Sequence, residues 1–170
     1  MISLPNPLHP AIVHFPIVLI LIGALVAVAA VFLRRWNLSW IAAGLLTFGA
    51  LGSFAATWSG DEAGETVGKL SPQAEKILEE HEEWGEMTRN VALVAAFLAV
   101  GTVATTRFPK VARSLSVGAA LTALWASYCV AVTGHYGGLL VYQNGVGITA
   151  VADNSIPAVR PEKHGDKDDD

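Results

Sequence analysis

Apolar residues along this chain gather into four long blocks separated by polar sequence. They run from Ala11 to Leu33, from Leu38 to Trp58, from about Val91 to Thr106 and from about Leu115 to Val132. A bilayer hydrocarbon core about 30 Å thick needs about 20 helical residues to cross it. Inside lipid every backbone group must be bonded within its own segment, so these blocks predict four membrane-spanning helices. The last two are the shortest, and each continues into apolar or amphipathic sequence. The expected fold is all-α, an up-down-up-down membrane four-helix bundle.

Local signals refine this outline. Pro5 and Pro7 make the entry extended, and Pro10 suits the first turn of a helix. Pro16 removes one backbone bond and predicts a bend in the first span just past His14. The second span carries Gly44, Gly49, Gly52, Ser53, Ala55 and Ala56, small residues that let helices approach closely in lipid. From Ser59 to about Leu70 the chain reads as a loop. Ser71 and Pro72 then read as N-cap and first turn of a helix reaching about Thr106. Such a helix is roughly 50 Å long, more than the membrane is thick, so its first four turns should stand outside the bilayer. One four-helix domain is expected over 1–147, followed by a polar, acidic, disordered tail over 148–170.

The charges are sorted by side. The two short loops between spans one and two and between spans three and four carry only Arg34, Arg35, Arg107, Lys110 and Arg113, whereas all 15 carboxylates fall on the opposite side. Basic short loops mark the cytoplasmic face, which predicts both termini and the 59–90 connection outside. The net charge of −4 is therefore an average over two unlike faces. An acidic outer face argues against nucleic acid and against anionic substrates. Met1–Pro10 has no positive charge and the following apolar run is long for a signal peptide, so the first span is expected to be retained. Cys129, the only cysteine, can form no intrachain disulfide, and a CxxCH haem-attachment motif is absent.

All five histidines lie on the acidic side. His81 shares a helical face with Ile77, Leu78, Trp84, Gly85 and Thr88, while Glu79, Glu80, Glu82, Glu83 and Glu86 occupy the solvated remainder. It has no carboxylate one turn away, unlike the paired ligands of an HExxH zinc site. Gly85 leaves room for a flat macrocycle, and Trp84 could line its pocket. His135 sits among Gly134, Gly137 and Gly138; His14 lies early in span one, and His9 five residues before it. Ionisable residues at membrane depth are functional candidates. Imidazoles on facing helices, small residues beside them and a dry surround are what histidine-ligated haem requires. The expected cofactor is haem b, one or two per chain, with His9, His14, His81 and His135 as iron ligands and Trp84, Gly85 and Gly138 around them. By depth, His14 pairs with His135, and His9 with His81 stands higher. Neutral imidazoles also suit copper or zinc, so metal binding or transport is the competing reading. A non-catalytic structural subunit, whose histidines are simply hydrogen-bonded, is the third. His164 falls in the tail. The aromatic residues near the span ends read as an interfacial belt.

Leu8-His9-Pro10, Val13-His14-Phe15-Pro16 and Thr133-Gly134-His135-Tyr136-Gly137-Gly138-Leu139-Leu140-Val141-Tyr142 carry a resemblance. Over residues 8 to about 147 the chain resembles a bacterial family of predicted inner-membrane proteins, domain of unknown function 2231, with the pattern HPxxVHFP and, after four spans, TGxxGGxLVY. Members are sometimes joined to Rieske iron–sulfur or c-type cytochrome modules. The resemblance implies a multi-pass inner-membrane protein engaged in electron transfer, more carrier or complex subunit than stand-alone enzyme, with His9, His14 and His135 as pattern residues. Its redox partner would be quinol or a separate periplasmic redox protein, with a homo-oligomer or a larger membrane complex as the setting.

Overall fold

The computed structural model describes residues 8–33 and 36–146, and within them the only regular structure is helical. The tail over 148–170, His164 and the Arg34-Arg35 pair lie outside the described residues. Helices α1 (His9–Ile12) and α2 (His14–Leu33) make the first crossing, α3 (Trp36–Thr66) the second, α4 (Pro72–Ala104) the third and α5 (Pro109–Tyr142) the fourth. All four crossings are long and apolar enough to span a membrane. The break between α1 and α2 falls at Val13. Pro16 has no N–H to give the carbonyl one turn before it, so the helix is interrupted there, close to the predicted bend.

The bundle is packed as lipid-facing helices require. Its core is mostly alanine, with Ile20 and Leu46 the largest fully buried apolar side chains beside Cys129. Phe32, Leu25, Phe48, Phe97 and Leu121 face outward. Small residues inside bring the backbones together, and large apolar ones outside meet the acyl chains. Consecutive helices are antiparallel neighbours, and α2 closes the ring against α5.

One boundary differs from expectation. The segment predicted as a loop from Ser59 is helical as far as Thr66. Ser59 and Gly60 look like breakers in isolation, but the Ser59 hydroxyl donates to the Ala56 carbonyl at 3.0 Å within the helix. At the start of α4 the prediction matches: Ser71 Oγ accepts from the Ala74 N–H at 3.2 Å, with Pro72 in the first turn.

Arg89 on α4 reaches Thr57 on α3, next to the exposed Trp58, where aromatic and basic residues suit a membrane interface. Arg107 lies just past the other end of α4, which runs about 22 Å from Arg89 to Ala104. The first turns of α4, the end of α3 and the end of α5 together form an acidic head at the end of the bundle opposite Arg107.

Candidate metal centre

Two histidines meet in this head. The rings of His9 on α1 and His81 on α4 stand with centres 6.3 Å apart and planes at 89°. Both are half-buried. His81 faces the bundle because it belongs to the apolar stripe of α4, whose members Ile77, Leu78, Trp84, Gly85 and Thr88 are all at least half-buried, while most of the neighbouring glutamates are exposed.

Hydrogen bonds fix which nitrogen of each ring carries its proton. His81 Nδ1 lies 3.0 Å from the Thr133 carbonyl oxygen. A carbonyl only accepts, so Nδ1 is the donor, and the neutral ring keeps its lone pair on Nε2. His9 Nδ1 lies 3.1 Å from Ser59 Oγ. The Ser59 hydroxyl proton is already given to Ala56, so the serine oxygen accepts from His9. Two imidazoles are thus held with Nε2 free for a metal, each oriented through its other nitrogen as metal-ligating histidines usually are.

A glycine backs each ring. A Cβ on Gly60 of α3 would stand 3.1 Å from His9 Cε1, and a Cβ on Gly137 of α5 would stand 3.1 Å from His81 Cε1. Both rings therefore occupy cradles that any side chain would fill. A metal bound by one nitrogen of each ring at about 2.0–2.1 Å would put the two ring centres about 6 Å apart if the rings stood on opposite sides of it. The observed spacing fits. Asp61 acts electrostatically on His9 and on Glu82. Yet among the described residues no third histidine, cysteine or carboxylate completes a cluster with the two imidazoles.

The other predicted site residues are placed differently. His14 is exposed, its Nδ1 2.6 Å from the carbonyl of Pro10 in its own turn. His135 is exposed and contacts Tyr136. The pair that forms is His9 with His81, and the expected pairing of His14 with His135 is corrected. The break at Val13 separates His14 from the turn that carries His9. On α5, His135 precedes Gly137 by two residues, about 200° around the helix, so it faces away when Gly137 faces His81. Gly85 is only loosely filled, with Thr133 Cγ2 4.0 Å from its Cβ position, and Gly138 faces open space. Trp84 packs edge-on against Tyr128. Ser59 and Gly60 were missed from sequence because a helix was not expected past Trp58, and the Thr133 carbonyl because a backbone acceptor leaves no mark in the sequence.

A family model described as a predicted membrane protein, DUF2231, matches residues 5–150. The chain belongs to the DUF2231 family. Both histidine motifs lie within the matched DUF2231 segment, as do all four crossings, so the head and its histidine pair are part of the family domain. No curated protein and no solved structure matches the chain.

Proposed function

We propose that this DUF2231 protein binds b-type haem through His9 and His81 and carries electrons at the outer face of a bacterial inner membrane. The observation that carries the reading is the donor set: two imidazoles from separate helices, spaced for one metal between them, with Nε2 free on both and, among the described residues, no third protein ligand beside them. A structural or catalytic zinc site normally takes three or four protein ligands. Haem iron needs no more than two protein ligands, so the two histidines would suffice to hold it. One-electron transfer is the chemistry that haem supplies when bound. His9 and His81 hold and orient, the Ser59 hydroxyl and Thr133 carbonyl fix their tautomers, and Gly60 and Gly137 leave the rings space. The acidic head would steer a basic soluble redox partner, and quinol is the partner available from the lipid side.

A copper or zinc ion held by the same pair is the second reading, favoured by the Asp61 carboxylate that acts on His9. Reduced-minus-oxidised absorbance of the protein expressed with ample haem, together with metal analysis, separates the two. Soret and α bands that disappear in His9→Ala and His81→Ala are expected. Their absence from the wild-type protein overturns the haem reading, and stoichiometric copper or zinc would replace it.

A further inference from the structure

The two halves of the chain are built alike, although no repeat is visible in the sequence. The buried positions of α2 are Pro16, Ile20, Gly23, Ala24, Ala27 and Ala30. Those of the membrane part of α4 are Thr88, Ala92, Ala95, Ala96, Ala99 and Thr102, each 72 positions after its counterpart. His81 follows His9 by the same interval. Between α3 and α5 a second interval, 77, relates the buried Ala42, Ala43, Leu46, Gly49 and Ser53 to the buried Ala119, Ala120, Ala123, Ala126 and Val130. It also relates Gly60 to Gly137. The Thr133 carbonyl accepts from His81, and its counterpart one interval earlier, the Ala56 carbonyl, accepts from the Ser59 hydroxyl that His9 contacts, each one turn before the glycine. A small cavity of about 10 Å³ at the other end of the bundle obeys the same relation: Ser39 faces it with Ser116, Ala30 with Thr102, and Ala27 with Ala99.

Both hairpins, 9–66 and 81–142, enter from the acidic end. Two such units pack as parallel repeats about an axis along the membrane normal. Each contributes one half-site consisting of a histidine, the glycine under its ring and the carbonyl one turn before that glycine. The contacts under the rings agree almost atom for atom: Cε1 at 3.1 Å and Nδ1 at 3.4 Å on both sides.

We infer that the chain is a duplicated α-hairpin whose equivalent half-sites converge on the two-fold axis to hold one metal centre through two equivalent imidazoles. This rests on the bis-imidazole reading and deepens it. It fixes the stoichiometry at one per chain, makes Gly60 and Gly137 matched positioning residues, and leaves His14 and His135 outside the site.

The test uses the full chain in detergent, titrated with haemin and, separately, with Cu(II), each followed by its absorbance. One equivalent per chain is expected, with His9→Gln and His81→Gln weakening binding by similar factors of about ten or more, and His14→Gln and His135→Gln leaving it unchanged. Should the Gln variants lose helix by circular dichroism, Gly60→Ala and Gly137→Ala act on the same rings and should weaken binding equally. Two equivalents per chain, or a loss confined to one histidine, overturns the inference even if haem is bound. Binding of Cu(II) alone, at one per chain with matched losses, sustains the two-fold site while removing haem. Failure of both probes to bind at one per chain overturns both.

Discussion

The His81 ring lies against the backbone of Gly137 on the neighbouring helix, its Cε1 3.1 Å from where a Cβ on that glycine would stand. The same ring donates to the Thr133 carbonyl one turn earlier, so α5 both seats and orients it. Replacing Gly137 by Ala removes a weak helix former, a gain of up to about 1 kcal/mol, but forces the ring to move, and overpacking costs about 1–3 kcal/mol. Gly134, three residues earlier, has nothing within 4 Å of its Cβ position. Gly134→Ala should therefore raise the melting temperature while Gly137→Ala leaves it unchanged or lowers it. Equal effects in thermal unfolding would mean that the glycine does not seat the histidine.

A close backbone approach lies farther from the acidic head, between α2 and α3. A Cβ on Gly49 of α3 would stand 3.0 Å from Ile20 Cγ1 and 3.3 Å from the Ile20 backbone nitrogen on α2. A side-chain tip can rotate aside, but a helical backbone cannot. Gly49→Leu should separate α2 from α3 and destabilise the protein strongly, by more than the about 1–3 kcal/mol usual for overpacking. Gly44, with nothing within 4 Å, should accept Ala without loss. Resistance to denaturing detergent measures the contrast.

Thr88 Oγ1 and Thr133 Oγ1 lie 3.1 Å apart between α4 and α5, and each also reaches a carbonyl of its own helix, that of Trp84 and that of Cys129. Only one of the two hydroxyls can donate across the interface while the other donates locally. Interhelical hydrogen bonds in membrane proteins average about 0.6 kcal/mol. A double-mutant cycle on Thr88→Val and Thr133→Val should give coupling of about that size. Coupling near zero would mean that the two threonines serve only their own helices.

Much of the fold was legible from the sequence, for reasons that depend on particular residues. Four apolar blocks, Ser71-Pro72 and the inward stripe around His81 were each decided by local composition and helical period, and the structure places them accordingly. The helix past Ser59 was not legible. Ser59 and Gly60 carry loop preferences, and only a long-range contact, the His9 ring against Gly60, explains a glycine inside a helix there. The site was half legible for the same reason. Depth grouped His9 with His81, and these rings do meet, but it grouped His14 with His135 as well, and that their rings stay apart depends on the turn at Val13 and on the register of α4 against α5. The two-fold relation was hidden because its identities, such as His9 with His81 and Gly60 with Gly137, are scattered among unlike pairs such as Pro16 with Thr88 and Leu46 with Ala123, and burial alone ties them together.

The single cysteine makes sidedness directly measurable. Cys129 is fully buried in the core, so it should resist maleimides in the folded protein, and Cys129→Ala gives a background free of thiols. Glu79 in the acidic head and Lys110 at the opposite end are both exposed. Basic residues at short loops favour the cytoplasmic side. In that background, Glu79→Cys should react with a membrane-impermeant maleimide in spheroplasts, whereas Lys110→Cys should react only after lysis. The reverse pattern would put the His9–His81 pair on the cytoplasmic face. A periplasmic redox partner would then have no access to it, and any electron exchange would have to involve cytoplasmic or lipid-borne carriers.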